Sequence, residues 1–224
     1  MLNADLTSRA SVQADELDWM PSPMNGVERR MLFRIGEEQA RATSIVRYAP
    51  GSSFSRHEHP GGEEIFVLDG VFQDETGDFP AGSYIRNPPG TGHAPKSDVG
   101  CIIFVKLWQL SASDRQRIVR QPREGEATRP RSGVAQSRML FESPSEHVVL
   151  EQWSPGAEIV LMNPEGLELL VVDGTIQSEG DMLRRMGWLR IPAGEPLHAQ
   201  AVPHGAQIWL KWAPLRHEDV CAFA

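Results

Sequence analysis

Gly51-Ser-Ser-Phe-Ser-Arg-His57-Glu-His59-Pro-Gly-Gly-Glu63-Glu-Ile-Phe-Val-Leu-Asp-Gly70 is the stretch whose reading decides the fold. Alternate residues of a strand point to one face, so His57 and His59 look the same way. Gly61 and Gly62 let the backbone reverse tightly and bring Glu63 beside them. Ile65 and Val67 continue the face that Glu63 begins, placing a ligand at the mouth and apolar packing beneath. Further on, Gly82-Ser-Tyr-Ile-Arg-Asn-Pro88-Pro-Gly90-Thr-Gly-His93 offers a fourth donor. Imidazoles with a carboxylate suit one borderline divalent metal, zinc first, with iron, nickel or manganese as alternatives. The expected metal ligands are His57, His59, Glu63 and His93.

The two segments together resemble the paired signatures of the cupin superfamily. Gly51, His57, His59, Glu63 and Gly70 fill the first, and Gly82, Pro88, Gly90 and His93 fill the second. Ser97 stands where the second signature ends in Asn. The wording around them, with Gly100-Cys-Ile-Ile-Phe-Val-Lys-Leu107, is similar to the cupin domain of ChrR-type anti-sigma factors.

The halves of the chain repeat each other. Arg30-Met-Leu-Phe33 returns as Arg138-Met-Leu-Phe141, and Ile45-Val-Arg-Tyr-Ala-Pro-Gly51 is echoed by Leu150-Glu-Gln-Trp-Ser-Pro-Gly156. Glu64-Ile-Phe-Val-Leu-Asp-Gly70 matches Glu168-Leu-Leu-Val-Val-Asp-Gly174. Tyr84 to Gly90 parallels Trp188 to Gly194, and Ile103 to Leu107 parallels Ile208 to Trp212. His198 is set opposite His93. The predicted fold is all-β: two tandem cupin (jelly-roll β-barrel) domains, a bicupin. The boundaries are 1–110 for a metal-binding cupin, 111–133 for a linker strap, and 134–224 for a degenerate cupin. In that second copy Leu161 to Pro164 stand where His57 and His59 do, and Leu167 faces the place of Glu63, so no metal site is expected there. Glu64 competes with Glu63 as the carboxylate ligand. Its match, Glu168, survives in the copy that has lost the other ligands, which favours Glu63.

Composition bounds the function. A net charge of −8 argues against a nucleic-acid surface. No apolar run spans a bilayer, no signal peptide opens the chain, and two cysteines make no disulfide framework, so a cytoplasmic location is expected. Cys101 reads as a buried structural thiol, and pairing with Cys221 would need the tail to fold back. The strap, with six arginines, reads as a solvated surface segment. Lys106 and Lys211 read as outward charges at a sheet edge, with burial as the alternative. The tryptophans at 153, 188, 209 and 212 read as core or interface packing. His147, His204 and His217 have no partner pattern.

The resemblance implies two functions. ChrR-type cupin domains bind zinc and serve the response to singlet oxygen, while a separate zinc domain with a His-x3-Cys-x2-Cys motif holds the sigma factor. No cysteine precedes Cys101, so capture of a sigma factor is not expected, and a sensing or regulatory role for oxidative stress is the leading reading. The alternative is an iron-dependent dioxygenase acting on a small diketone or hydroxyketone, as in related cupins with the same ligand set. A small-molecule ligand or oxidant is the expected partner. Two fused barrels make a monomeric pseudo-dimer or a homodimer.

Overall fold

The computed structural model describes residues 1–37 and 39–215, so the readings of His217 and Cys221 lie outside the described residues. The described chain is built of strands, with a single 3-10 turn at Ala14–Glu16. It divides into two compact units, each a jelly-roll barrel.

In the first unit the main sheet runs Ile118–Arg120, Tyr84–Asn87, Glu63–Asp74, Cys101–Leu107, Ala40–Tyr48, Val27–Gly36 and Met20–Pro21, each antiparallel to its neighbour. The long strand Glu63–Asp74 belongs to two walls. Its first half pairs with Tyr84–Asn87, while its second half pairs with Gly77–Pro80 and meets Lys96–Ser97. A register shift opposite Ile102 and Ile103 gives it the bend that this needs. The facing wall is completed by the ribbon of His57–His59 with Thr91–His93 and by Ser52–Ser53 with Lys96–Ser97. Ile65, Val67, Phe72, Ile85, Ile103 and Val105 fill the interior, so the face begun by Glu63 does point inward.

The second unit repeats the order: Ala10–Gln13, Gly187–Ile191, Leu167–Ser178, Leu197–Trp212, His147–Trp153, Val134–Glu142 and Glu126–Ala127. Its interior holds an apolar cluster that includes Leu161, Leu167, Leu169, Val171, Leu189 and Leu197. Trp153, Trp188 and Trp209 are fully buried, in line with packing roles.

The units differ from the expected boundaries at two places. Residues 5–16 belong to the second unit, not the first, because Ala10–Gln13 forms the edge strand beside Gly187–Ile191. Within the connector, Ile118–Arg120 takes the corresponding edge of the first unit beside Tyr84–Asn87, and Glu126–Ala127 pairs with Val134–Glu142. Each barrel therefore receives the strand that precedes the other in the chain. The connector supplies sheet edges and is not only a solvated strap.

Lys106 and Lys211 also correct the sequence reading. Both lie on central strands and are 2% and 4% exposed. Each sits in register with a buried glutamate, and that glutamate with a buried arginine: Lys106–Glu64–Arg86 and Lys211–Glu168–Arg190. The Tyr84 hydroxyl donates to Glu64 Oε1 at 2.5 Å, and the Trp188 indole donates to Glu168 Oε1 at 2.7 Å from the matching position. Arg86 also donates to Asp114 of the connector at 2.7 Å. Buried charges persist only when paired this closely. Glu64 and Glu168 recur because both sheets use them in that pairing.

Candidate metal centre

The centre is built from a two-stranded ribbon and one strand of the main sheet. His93 lies directly opposite His57 in the ribbon, and His59, two residues on, shares the face of His57. The chain then turns at Pro60, with the Gly62 amide donating to the His59 carbonyl at 3.0 Å. Gly62 has φ of +75°, in the left-handed region that side chains rarely adopt. A Cβ on Gly61 would lie 2.2 Å from the Trp108 ring. Both glycines are thus required, one by conformation and one by space, and together they deliver Glu63 to the histidines.

His59, Glu63 and His93 are buried, and His57 is partly exposed. The Nε2 atoms of His59 and His93 are 3.1 Å apart, and Glu63 Oε2 lies 3.4 Å from the first and 3.3 Å from the second. Ligand atoms of the three histidines lie within 4.8 Å of one another, forming a group that could hold a metal ion. Donors bound at about 2.1 Å and at near right angles to one ion sit about 3 Å apart, so the spacing fits a metal. Buried lone pairs facing one another at this range are costly without a cation between them.

Two residues to which the sequence reading gave no role hold these groups. His93 Nδ1 donates to Asp74 Oδ2 at 3.2 Å, which leaves Nε2 directed at the centre. Burial pushes the Asp74 carboxyl upward, but hydrogen bonds from His93 and Thr76 outweigh it and hold it at about 2. Burial likewise lowers the His93 ring, yet Asp74 and Glu63 more than offset this and raise it above its ordinary value. His59 is lowered, by burial first and by the neighbouring rings, against the pull of Glu63. Asn87 Nδ2 donates to Glu63 Oε2 at 3.1 Å and fixes that carboxylate. Tyr48 is buried beside them, and burial with the Glu63 charge pushes its phenol far above the usual range.

The second unit shows what stands in these places when no centre is built. Leu161 faces Leu197 in the register where His57 faces His93. The Gly194 amide donates to Asn163 as the Gly90 amide does to His59, so Asn163 replaces His59 and Leu167 replaces Glu63. Asn163 spends its amide on the carbonyls of Ile191, Pro192 and Glu195. This corrects the placement of His198. Leu197, not His198, occupies the position of His93, and His198 points outward on the exposed face. By the same alignment Asp74 becomes Ser178 and Asn87 becomes Ile191. The supporting residues change along with the ligands. Comparing the two halves position by position would have found Asp74 and Asn87 in the sequence.

A cavity of about 170 Å³ opens on His57, His59 and Glu63 and is walled by Val27, Val46, Tyr48, Phe54, Ile103 and Leu107.

Residues 7–111 match the family described as the ChrR cupin-like domain. No curated protein sequence matches the chain. Among solved structures, a Nostoc punctiforme protein provisionally called a dioxygenase aligns with TM-score 0.72 at 14% identity, over 97% of this chain and 87% of that one. The pirin YhhW of Escherichia coli, in complex with nickel(II), aligns with TM-score 0.66 at 13% identity, over 93% of this chain and the whole of that one. A Bacillus subtilis oxalate decarboxylase variant aligns with TM-score 0.63 at 12% identity, over 92% of this chain and 77% of that one. The fold is that of the cupins, in two copies.

Proposed function

Starting from a chain of cupin fold whose first barrel matches the ChrR cupin-like domain, we propose that this barrel is a metal-dependent centre acting on a small molecule. His57, His59, Glu63 and His93 would hold one divalent ion. When bound, such an ion supplies a Lewis acid and a template for a chelating ligand. The chain's own residues do the rest. Asp74 keeps the proton of His93 on Nδ1, Asn87 holds Glu63 in place, and the apolar walls exclude water from whatever enters the cavity.

The cavity carries this reading. A site that only ties strands together has no use for an open space of about 170 Å³ against three of its four ligands. The chemistry that fits best is that of an iron-dependent dioxygenase for a small diketone or hydroxyketone. The test is metal analysis of protein purified without added metal, with oxygen uptake measured on a panel of both substrate classes. Iron with ketone-dependent oxygen consumption supports the reading.

The ChrR match favours a second reading, a zinc-bound sensor of oxidants with a regulatory role. In it, altered coordination loosens the ribbon that His57 and His93 join. Zinc without turnover, and zinc released to a chelating dye on exposure to singlet oxygen, would select it. Both readings place the protein in the cytoplasm, as a monomer or homodimer, and give the second barrel a structural role. No helix among the described residues is long and apolar enough to cross a membrane.

A further inference from the structure

Arg29 and Arg34 are five residues apart, so a regular strand would send them to opposite faces. The Val27–Gly36 strand carries a bulge between Met31 and Phe33 that changes this. Arg29 pairs in register with Val46, Met31 with Ser44, and, after the bulge, Arg34 with Ala42. All three partners line the cavity over the metal centre, and so do both arginines. A bulge that re-aims a side chain beside a site is a recurrent device.

Two guanidiniums now share one small cavity. Arg29 makes no hydrogen bond or ion pair among the described residues, and its Nε is buried without a partner. Arg34 donates to the Glu37 carbonyl. Its basicity is lowered by burial and by the nearby charge of Arg29. The one carboxylate lining the cavity, Glu63, is held by Asn87 and turned to the histidines. In the second unit the same register positions, opposite Glu151 and His147, hold Ser137 and Glu142. Both arginines are therefore missing from the barrel in which leucine fills three of the four ligand positions and asparagine the fourth.

We propose that Arg29 and Arg34 clamp the carboxylate of a short organic acid whose other end reaches the metal centre. This rests on the metal reading above and adds a carboxylate to the small oxygen-bearing molecule proposed there. Planar, permanently charged guanidinium forks match a carboxylate and bind it through paired, charge-assisted hydrogen bonds. The cavity has the volume of five or six waters at roughly 30 Å³ each, which suits a short acid. Val27, Val46, Phe54, Ile103 and Leu107 on its walls suit the alkyl body of an organic acid, which inorganic phosphate lacks.

The test is calorimetric titration of the full chain, with and without cobalt(II), using malonate, succinate, glutarate, their dimethyl esters and inorganic phosphate. At least one dicarboxylate should bind ten times more tightly than its ester. Arg29→Gln and Arg34→Gln should each lose tenfold or more of that affinity, with the cobalt content and absorption band unchanged. Arg29→Lys should recover part of the loss, which guards against a folding artefact. Esters that bind as well as the acids, variants that bind like the parent, or phosphate that binds more tightly than every dicarboxylate would overturn the clamp. The metal reading fails separately, if cobalt binds His93→Ala as well as the parent. Arginine-dependent acid binding to the metal-free chain would still support the clamp in that event, and its loss there too would overturn it.

Discussion

Asp74 accepts the Nδ1 hydrogen of His93 at 3.2 Å, and the opposite nitrogen of that ring lies 3.3 Å from Glu63. One imidazole thus links a carboxylate that orients it to a carboxylate that shares its site. With the Asp74 carboxyl held at about 2, the orienting charge is present at every working pH. Asp74→Asn should lower metal affinity by about 10- to 100-fold while the fold survives. Competition titration against a chelator, with melting curves as control, checks it. Unchanged affinity would show that Asp74 does not position the ring.

Glu63 and Glu64 are adjacent, both buried, and point to opposite faces of one strand. Their substitutions should have opposite consequences. Glu63→Gln should reduce metal retention with little loss of stability. Glu64→Gln should leave metal content intact and cost about 3 kcal/mol, because it strips the shared partner of Arg86 and Lys106. Metal analysis and urea denaturation on the two variants separate these outcomes.

Gly61 lies against the Trp108 ring, with space for hydrogen alone. Gly61→Ala should destabilise the protein by about 1–3 kcal/mol through overpacking. The cost should shrink when Trp108→Ala is combined with it, since the clash is with that ring. A double-mutant cycle by chemical denaturation measures the coupling, and additive effects would argue against it.

Cys101 is buried, and burial pushes its thiol up to about 11 despite a hydrogen bond involving Ser97. In the Cys221→Ser variant, a thiol reagent should react little with the folded protein at pH 8 and fully after denaturation. The linkage has a definite sign. The unfolded thiol ionises near 9.0 while the folded one holds its proton to about 11. This contribution to stability is therefore complete below pH 9 and is lost as pH rises between those values. Denaturation midpoints of Cys101→Ser and parent, compared from pH 8 to 11, check the slope.

The clustering of the candidate ligands was legible because their placement depends on short-range rules. Alternation along His57 to His59, and a glycine turn before Glu63, act within a few residues. The duplication was legible for the same reason, since matched words need no structure. Lys106 misled because a lone lysine in an apolar strand looks like an edge charge. Its burial depends on Glu64 and Arg86, which lie 42 and 20 positions earlier in the chain and meet it only across paired strands. His198 misled by one residue, and in a strand one residue reverses the face.

The sequence by itself determined a duplicated all-β chain of cupin fold whose first copy carries three histidines and a glutamate at metal-ligand spacing. Only the tertiary structure decided which residues serve them. Asp74 and Arg34 reach the interior after shifts in register, and Ala10–Gln13 edges a sheet whose other strands begin more than a hundred residues later. Strand parity is local and can be read along the chain. Bulges and long-range pairing reset that parity, and they are fixed by packing that no short stretch of sequence contains.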